Sequence, residues 1–245
     1  MRLIPKVIYQ TWKTKHLDIK LQNVRNKIQQ LNPTYEIKLF DDNDIEDWIK
    51  SEFKDETIYN TYKQLKVGAG RADFWRYLIL YQNGGIYLDI DSNINKSLDL
   101  LISDNDNAII SRQKHNDVTS DLVQWCLIFA PKHPILLRTI NMCIYNINNK
   151  VSTWLPTLTG PTVFTSAVNY VLKKHISLQY SKLNLKQLPD EILNYKFDNE
   201  ICGKDRCRFY GKDYEIFCSY DNGCKREILS NSIYWKNDTE IFSSL

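Results

Sequence analysis

The sequence lacks both a long apolar run and a strong excess of charge of either sign. No stretch approaches the ~20 apolar residues that a membrane-spanning helix needs, and the opening segment MRLIPKVIYQ is too short and too quickly polar for a signal peptide. The 32 Lys and Arg residues against 29 Asp and Glu residues leave a net charge of +3, which is too small to argue for nucleic-acid or anionic-membrane binding. We therefore expect a cytoplasmic protein with no transmembrane segment and no nucleic-acid partner.

The sequence also lacks the C-x2-C pairs that are typical of zinc sites. Two of the six cysteines, Cys126 and Cys143, lie in apolar surroundings and are interpreted as small core residues. The other four crowd the C-terminal tail: Cys202, Cys207, Cys218 and Cys224. Two disulfides with three possible connectivities stay open, although a cytoplasmic location argues against them. We predict a hairpin-like insert in this tail, with an undetermined redox state.

One ordered stretch stands out, residues 70–91, with the sequence GRADFWRYLILYQNGGIYLDID. Apolar residues recur at helical spacing over 71–81 and predict a largely buried helix. Asp73 and Arg76 are three residues apart and share another face of that helix, so two opposite charges enter an apolar environment together. The Gly-Gly pair that follows ends the helix, because glycine adopts the left-handed capping conformation without a Cβ clash.

The second part of this stretch, 86–91, alternates with period two and predicts a strand. Its alternation places Tyr87, Asp89 and Asp91 on one face. Two carboxylates at the end of an apolar strand repel each other and lose hydration, which is hard to explain unless a cation lies between them. A divalent ion is the simplest such cation.

Periodicity and turn signals also predict the neighbouring elements. Asp41 or Asp42 is expected to cap one helix, His133 to begin another, and Pro161 to lie in the first turn of a third. The alternation of strands and helices favours an α/β sandwich, in which ligands gather outside the carboxyl ends of the strands. The predicted elements are strands at 4–12, 35–40, 108–110 and 123–130, and helices at 18–31, 44–53, 57–66 and 135–147.

The stretch resembles the signature of the sugar-transferase family that contains the DXD motif, in the order Asp, two residues, Arg-Tyr, then Gly-Gly-Ile-Tyr-Leu-Asp-x-Asp. The resemblance implies a single-domain α/β protein with a GT-A-like nucleotide-sugar-binding sandwich, in which helices flank a central mixed sheet. Within one domain, 1–245, it implies a nucleotide-sugar half at 1–100, an acceptor-side half at 101–190 and a Cys-containing tail at 191–245.

The resemblance also implies roles for the motif residues. Asp91 is expected to bind Mn²⁺ or Mg²⁺ directly, with Asp89 contacting the metal, its water or the ribose. Asp73 is expected to accept hydrogen bonds from sugar hydroxyls, and Arg76 to lie near the glycosidic oxygen or phosphate, with Tyr87 as a further donor contact. An alternative is that Asp73 and Arg76 form a buried ion pair that locks the helix to the sheet.

Two segments outside the motif carry further candidates. The family opens with a segment resembling IPKVIYQTW, which makes Tyr9, Gln10 and Trp12 candidate nucleotide contacts. Tyr9 replaces the family's usual histidine, and Trp12 has a core or edge position as its alternative. Trp235 falls, with an offset, where the family places a segment that reaches the phosphates.

The function implied is retaining, metal-dependent transfer of a hexose or N-acetylhexosamine from a nucleotide-diphosphate sugar to a glycan, protein or lipid acceptor. UDP-sugars are favoured over GDP-sugars. The sequence shows no isolated, positioned nucleophile, which is consistent with front-face transfer. A non-catalytic sugar- or nucleotide-binding domain and a DxD phosphohydrolase are the alternatives, and the latter is disfavoured because Asn93 stands where those enzymes carry Thr or Val.

Overall fold

The computed structural model describes residues 2–111, 121–171, 196–198, 208–210, 216–220 and 241–242. For Ser111 and the three short segments between 196 and 220, it describes the backbone alone. Trp235, Cys202, Cys207 and Cys224 lie outside the described residues, so the predictions made for them stay predictions.

The described residues form seven α-helices and nine strands. The helices are α1 Ile19–Leu31, α2 Asp42–Glu52, α3 Glu56–Gln64, α4 Gly68–Asn83, α5 Pro134–Asn148, α6 Leu155–Leu158 and α7 Pro161–Val171. The strands are β1 Val7–Thr11, β2 Glu36–Phe40, β3 Gly85–Leu88, β4 Ser92–Ile94, β5 Ala108–Ser111, β6 Cys126–Phe129, β7 Lys196–Asp198, β8 Arg208–Tyr210 and β9 Ile216–Tyr220. None of the described helices combines the length and apolar character that a membrane crossing requires.

Six of the strands form a mixed sheet in the order β2-β1-β3-β6-β5-β7. β1 pairs in parallel with both β2 and β3, whereas β6 is antiparallel to β3 and β5. Parallel strands need crossover connections, which α1 supplies between β1 and β2 and α2 to α4 supply between β2 and β3, on the far side of β1. The carboxyl ends of β1, β2 and β3 therefore meet at one edge of the sheet.

Each face of this sheet is covered by its own apolar cluster. Tyr9, Tyr87 and Phe129 face α4, α5 and α7, and belong to the larger cluster. Ile8 and Ile86 alternate with them and pack on the other face against α1. The described residues thus form the predicted α/β sandwich, in which helices flank a central mixed sheet.

The helix starts follow from local chemistry in the way the sequence predicts. The Asp41 carboxylate accepts hydrogen bonds from the first turn of α2 and completes a capping box with Asp44. His133 caps α5, with its Nδ1 accepting from the Ile135 amide at 3.3 Å, and Pro161 begins α7. Burial of His133 lowers its pKa to about 4, so it is neutral at pH 7.

The predicted end of α4 is confirmed and the predicted end of β3 is wrong. Gly84 terminates α4 with φ +64°, and a Cβ on Gly85 would lie 2.8 Å from the Val7 carbonyl oxygen, so both positions need glycine. The strand stops at Leu88 rather than Asp91, because a turn closed by the Ser92 amide on the Asp89 carbonyl follows, at 2.9 Å. β1 and β6 are likewise shorter than predicted.

The tail contributes to both sheets. β7 pairs in parallel with β5 at the end of the main sheet. β8 and β9 pair antiparallel, as expected for the hairpin-like insert predicted in the tail. β9, which carries Cys218, pairs with β4 in a second, three-stranded sheet. The turn from Asp89 to Ser92 therefore connects the two sheets. The division at residues 100 and 190 stays a prediction.

Candidate active site

Arg76 lies at the centre of the candidate site. One turn of α4 separates it from Asp73, and its Nη2 is 3.0 Å from Asp73 Oδ1. The same nitrogen is 3.3 Å from Asp89 Oδ1, at the carboxyl end of β3. Arg76 is only 5% exposed, so its charge depends on these partners in place of water. One buried guanidinium therefore connects the helix carboxylate to the strand carboxylate.

Two further contacts fix the plane of this guanidinium. Arg76 Nη1 donates to the Gln124 carbonyl oxygen at 2.8 Å, and the guanidinium lies 4.4 Å from the centre of the Tyr87 ring. Burial by itself lowers the pKa of Arg76. The charges and dipoles of Tyr87, Asp89 and Asp73 raise it by more than burial lowers it, so the pKa of Arg76 is above its ordinary value. Arg76 is a permanent cation at this site.

Tyr87 orients Asp89 from the other side. Its ring is buried under α4, and its hydroxyl donates to Asp89 Oδ1 at 3.0 Å. Thr11 Oγ1, at the end of β1, lies 3.2 Å from the same hydroxyl. Burial raises the pKa of Tyr87, so the hydroxyl keeps its proton. The Tyr87 hydroxyl thus hydrogen-bonds to Asp89. The contact of Tyr87 with the sugar-nucleotide donor stays a prediction.

Asp91 lies two residues beyond Asp89, in the turn that leads into β4. It is 4% exposed, and carboxylates are rarely buried so deeply. Asp89 is 21% exposed at its side chain and so remains open to solvent. The two carboxylates therefore differ in burial. Arg76 is a cation beside Asp89, and the divalent ion predicted between Asp89 and Asp91 stays a prediction.

The donor set fits a hard divalent cation. No three His, Cys, Asp or Glu side chains among the described residues converge into a metal cage. Mg²⁺-like ions do not need such a cage, because they take one or two carboxylates and complete their coordination with phosphate oxygens and water. Asp89 and Asp91 are two such carboxylates, and their role as metal ligands stays a prediction.

A second set of contacts, absent from the sequence prediction, holds Asp73. Thr159 Oγ1 donates to Asp73 Oδ2 at 3.2 Å. Tyr77 and the Gln124 side chain both hydrogen-bond to the Thr159 carbonyl oxygen, at 3.0 and 3.1 Å. The sequence predicts only that Pro161, two residues after Thr159, lies in the first turn of a helix, which gives no indication of the partner of Thr159, 86 residues away.

The β1 candidates lie apart from this cluster of contacts. Tyr9 is buried on the α4 face, where its ring meets Trp75 edge-on at 6.4 Å between centroids. Gln10 points to the opposite face and is fully buried, and neither atom of its side-chain amide has a hydrogen-bond partner in the described chain. Trp12 is half-buried, with Lys13 Nζ 5.9 Å from its ring centre. Their nucleotide contacts stay predictions, and Trp235 lies outside the described residues.

Comparison with known proteins finds a family model that matches the region of this site. Residues 8–114 match the family described as the glycosyltransferase sugar-binding region containing the DXD motif, and this span holds Asp73, Arg76, Asp89 and Asp91. Inositol phosphoceramide mannosyltransferase 3 of Schizosaccharomyces pombe is 33% identical over 137 residues, which cover 56% of this chain and 36% of that protein. The chain spans about a third of the length of this and similar yeast relatives.

A second relative matches along the whole chain. Uncharacterized glycosyltransferase L373 of Acanthamoeba polyphaga mimivirus is 24% identical over 243 residues, covering 98% of this chain and 91% of that protein. Among solved structures, the PaToxG glycosyltransferase superposes with a TM-score of 0.58 at 21% identity, over 70% of this chain and 71% of that one. That likeness confirms the GT-A-like fold. Residues 8–114 of this chain are therefore similar to the glycosyltransferase sugar-binding region that contains the DXD motif.

Proposed function

We propose that the chain is a retaining, metal-dependent glycosyltransferase that moves a hexose or N-acetylhexosamine from a nucleotide-diphosphate sugar to a hydroxyl acceptor. The observation that carries the proposal is the position of Asp89 at the carboxyl end of β3. There Arg76 and Tyr87 orient it, and a buried carboxylate follows two residues later. Ligands of open α/β sheets bind at that edge.

Asp91 and Asp89 are the residues that would hold Mn²⁺ or Mg²⁺. When bound, such an ion supplies Lewis-acid neutralisation of the donor diphosphate, which makes the nucleoside diphosphate a better leaving group. Asp89 is held at one oxygen by Tyr87 and Arg76. Its other oxygen is therefore presented in a fixed direction, to the metal, its water or the ribose.

Asp73 and Arg76 fit the sugar side of the donor. The side chain of Asp73 is 13% exposed and its two oxygens are fixed by Arg76 and Thr159, so a sugar hydroxyl would meet an already oriented acceptor. Arg76 keeps its positive charge close to both carboxylates and would stabilise negative charge on the leaving oxygen. The alternative structural role of this pair is compatible with the catalytic one, because a preorganised site needs fixed side chains.

Retention of anomeric configuration fits the same contacts. A carboxylate that accepts from a guanidinium is a weaker nucleophile than a bare one, and both Asp73 and Asp89 pair with Arg76. Neither is therefore suited to form a covalent glycosyl intermediate. Front-face transfer, in which the leaving phosphate helps to deprotonate the acceptor hydroxyl, requires no such nucleophile.

The choice of donor and acceptor follows from the sequence resemblance and from the yeast relatives. The resemblance favours UDP-sugars over GDP-sugars, and the similarity to the yeast inositol phosphoceramide mannosyltransferase adds mannose to the candidate sugars. The same relative supports a glycan or lipid hydroxyl as acceptor, beside a protein hydroxyl. The predicted cytoplasmic location stays a prediction.

The test is a panel of UDP-glucose, UDP-galactose, UDP-N-acetylglucosamine and GDP-mannose, with Mn²⁺, Mg²⁺ or a chelator, following release of the nucleoside diphosphate. We expect one donor to be turned over only with a divalent ion, and NMR of the fresh product to show the donor's anomeric configuration. An inverted product would exclude retention. Donor binding without turnover would instead support the non-catalytic binding domain, and release of phosphate from a simple phosphate ester would support the phosphohydrolase.

A further inference from the structure

The segment that joins α6 to α7 packs against the same helix that carries the candidate sugar-side residues. Gly70, at the start of α4, faces this segment, and a Cβ there would lie 2.9 Å from Leu155 Cδ2 and 3.7 Å from Thr159 Oγ1. The absent side chain at Gly70 therefore lets the segment approach the helix backbone. Gly70, Asp73 and Tyr77 follow one another along one stripe of α4, and all three lie against Thr159.

The contact with Asp73 complements the ion pair with Arg76. Thr159 Oγ1 donates to Asp73 Oδ2 at 3.2 Å, whereas Arg76 Nη2 lies 3.0 Å from Asp73 Oδ1. One oxygen of the carboxylate is thus oriented from its own helix and the other from the α6–α7 segment. With both oxygens held, the carboxylate plane is fixed, which a single ion pair would not achieve.

The backbone of Thr159 is itself rigidly placed. Tyr77 and Gln124 donate to its carbonyl oxygen, and Gln124 Nε2 also donates to the Tyr77 hydroxyl at 2.5 Å. Burial raises the pKa of Tyr77 well above its usual value, so that hydroxyl always has a proton to donate. At Gly160 a Cβ would lie 2.6 Å from Pro156 Cα, so the close approach of this segment to α6 needs glycine at position 160.

We infer that Thr159 is a positioning residue for Asp73, through which α6 and α7 set the geometry of the carboxylate that binds the donor sugar. The inference rests on the proposed function and names the residue outside the DXD region that the sugar site needs. Thr159 acts on the sugar through Asp73 and does not touch the nucleotide. Its loss should therefore weaken recognition of the sugar while leaving recognition of the nucleoside diphosphate unchanged.

The test compares Thr159→Val, Thr159→Ser and Thr162→Val in the full chain. Valine keeps the volume and the carbonyl oxygen of Thr159 and removes only the hydroxyl donor, whereas serine restores that donor. Thr162→Val is the matched control, because Thr162 Oγ1 donates to another carboxylate, Asp121, at 3.0 Å in the next turn. The measurements are turnover of the preferred sugar nucleotide, Kd of that sugar nucleotide, Kd of its nucleoside diphosphate alone, and Tm.

We expect Thr159→Val to lower kcat/KM about tenfold, since a hydrogen bond to a charged group is lost. The Kd of the nucleoside diphosphate should stay unchanged, and Thr159→Ser should recover most of the activity at wild-type Tm. Equal kcat/KM in Thr159→Val and wild type, or an equal loss in Thr162→Val, would overturn the inference and leave the proposed function standing. A wild-type protein that neither binds nor turns over any donor would overturn both.

Discussion

Asp89 and Asp99 are each held by one arginine and one tyrosine, yet their surroundings differ in a way that separates function from stability. Asp89 accepts from Tyr87 and pairs with Arg76, which lies over the Tyr87 ring. Asp99, in the short turn that follows β4, accepts from Tyr35 and pairs with Arg2, which lies over the Tyr35 ring at 5.4 Å. The same three residue types thus meet twice in similar geometry.

The difference is how cations are shared. Asp99 has a second cation, since Lys6 Nζ lies 2.7 Å from its other oxygen, and its side chain is 40% exposed. Arg76 is instead divided between two carboxylates, and a third carboxylate, Asp91, lies two residues from Asp89. A carboxylate with two cations at the surface is a structural clasp. A cation shared by two partly exposed carboxylates leaves an excess of negative charge at a strand end, where a divalent ion and a diphosphate are expected.

The comparison predicts its largest contrast between Asp91→Asn and Asp99→Asn. Asparagine removes one negative charge at either place with little change in volume. Asp91→Asn should lower metal-dependent donor turnover about 1000-fold, because a metal ligand is worth several kcal/mol in the transition state. Asp99→Asn should leave turnover within about twofold and lower the free energy of unfolding by about 1 kcal/mol. Equal losses of turnover would show that the two carboxylates do not differ in role.

The next largest contrast is expected between substitutions of Arg76 and Arg2. Arg76→Lys keeps the charge but cannot reach Asp73, Asp89 and the Gln124 carbonyl oxygen from one plane. We expect turnover to fall about 50-fold, as two charge-assisted hydrogen bonds are lost, with a clear loss of stability in urea unfolding. Arg2→Lys, at the exposed clasp, should change unfolding by less than about 1 kcal/mol and turnover hardly at all.

The tyrosines should give a smaller contrast. Tyr87→Phe removes one hydrogen bond to Asp89 and should lower kcat about fivefold, which corresponds to about 1 kcal/mol. Tyr35→Phe removes the equivalent bond to Asp99 and should appear only in the urea midpoint. A Tyr87→Phe variant with wild-type kcat and a lowered midpoint would reduce Tyr87 to a packing residue.

The smallest predicted effect is a pH dependence at the clasp. Desolvation raises the pKa of Asp99, but hydrogen bonds from Lys6, Arg2 and Tyr35 outweigh it and hold the pKa at about 2. Because the folded pKa lies below the unfolded value of about 3.9, the stabilisation is complete above pH ~4 and disappears as pH falls towards 2. The difference in unfolding free energy between wild type and Asp99→Asn should shrink over that window. A difference in unfolding free energy that stays constant with pH would contradict the proposed stabilising role of Asp99.

The local elements of this site could be predicted from sequence, because their causes are local. The apolar spacing of 71–81 specifies a buried helix, and the Gly84 cap ends it where the positive φ is needed. The end of β3 could not be predicted, because the alternation continues through Ile90, which is buried within the turn as it would be in a strand. The spacing of hydrophobic residues alone does not distinguish a buried turn from a continuing strand.

The contacts that orient the carboxylates could not be predicted, because their partners are distant in the chain. Thr159 reaches Asp73 across 86 positions and Gln124 reaches Arg76 across 48. Thr159 lies between α6 and α7 and Gln124 lies just before β6, so only tertiary packing brings these two residues to α4. The sequence therefore predicts the candidate carboxylates and the candidate arginine of the site, and the fold supplies their geometry.

The most direct test of the central claim is the affinity of the protein for Mn²⁺ in the presence of a nucleoside diphosphate, followed by electron paramagnetic resonance of the free ion. UDP and GDP would each be titrated with wild type, Asp91→Asn and Asp99→Asn. The account predicts saturable Mn²⁺ binding in wild type and Asp99→Asn, weakened at least about tenfold in Asp91→Asn. Equal Mn²⁺ affinity in wild type and Asp91→Asn would contradict it.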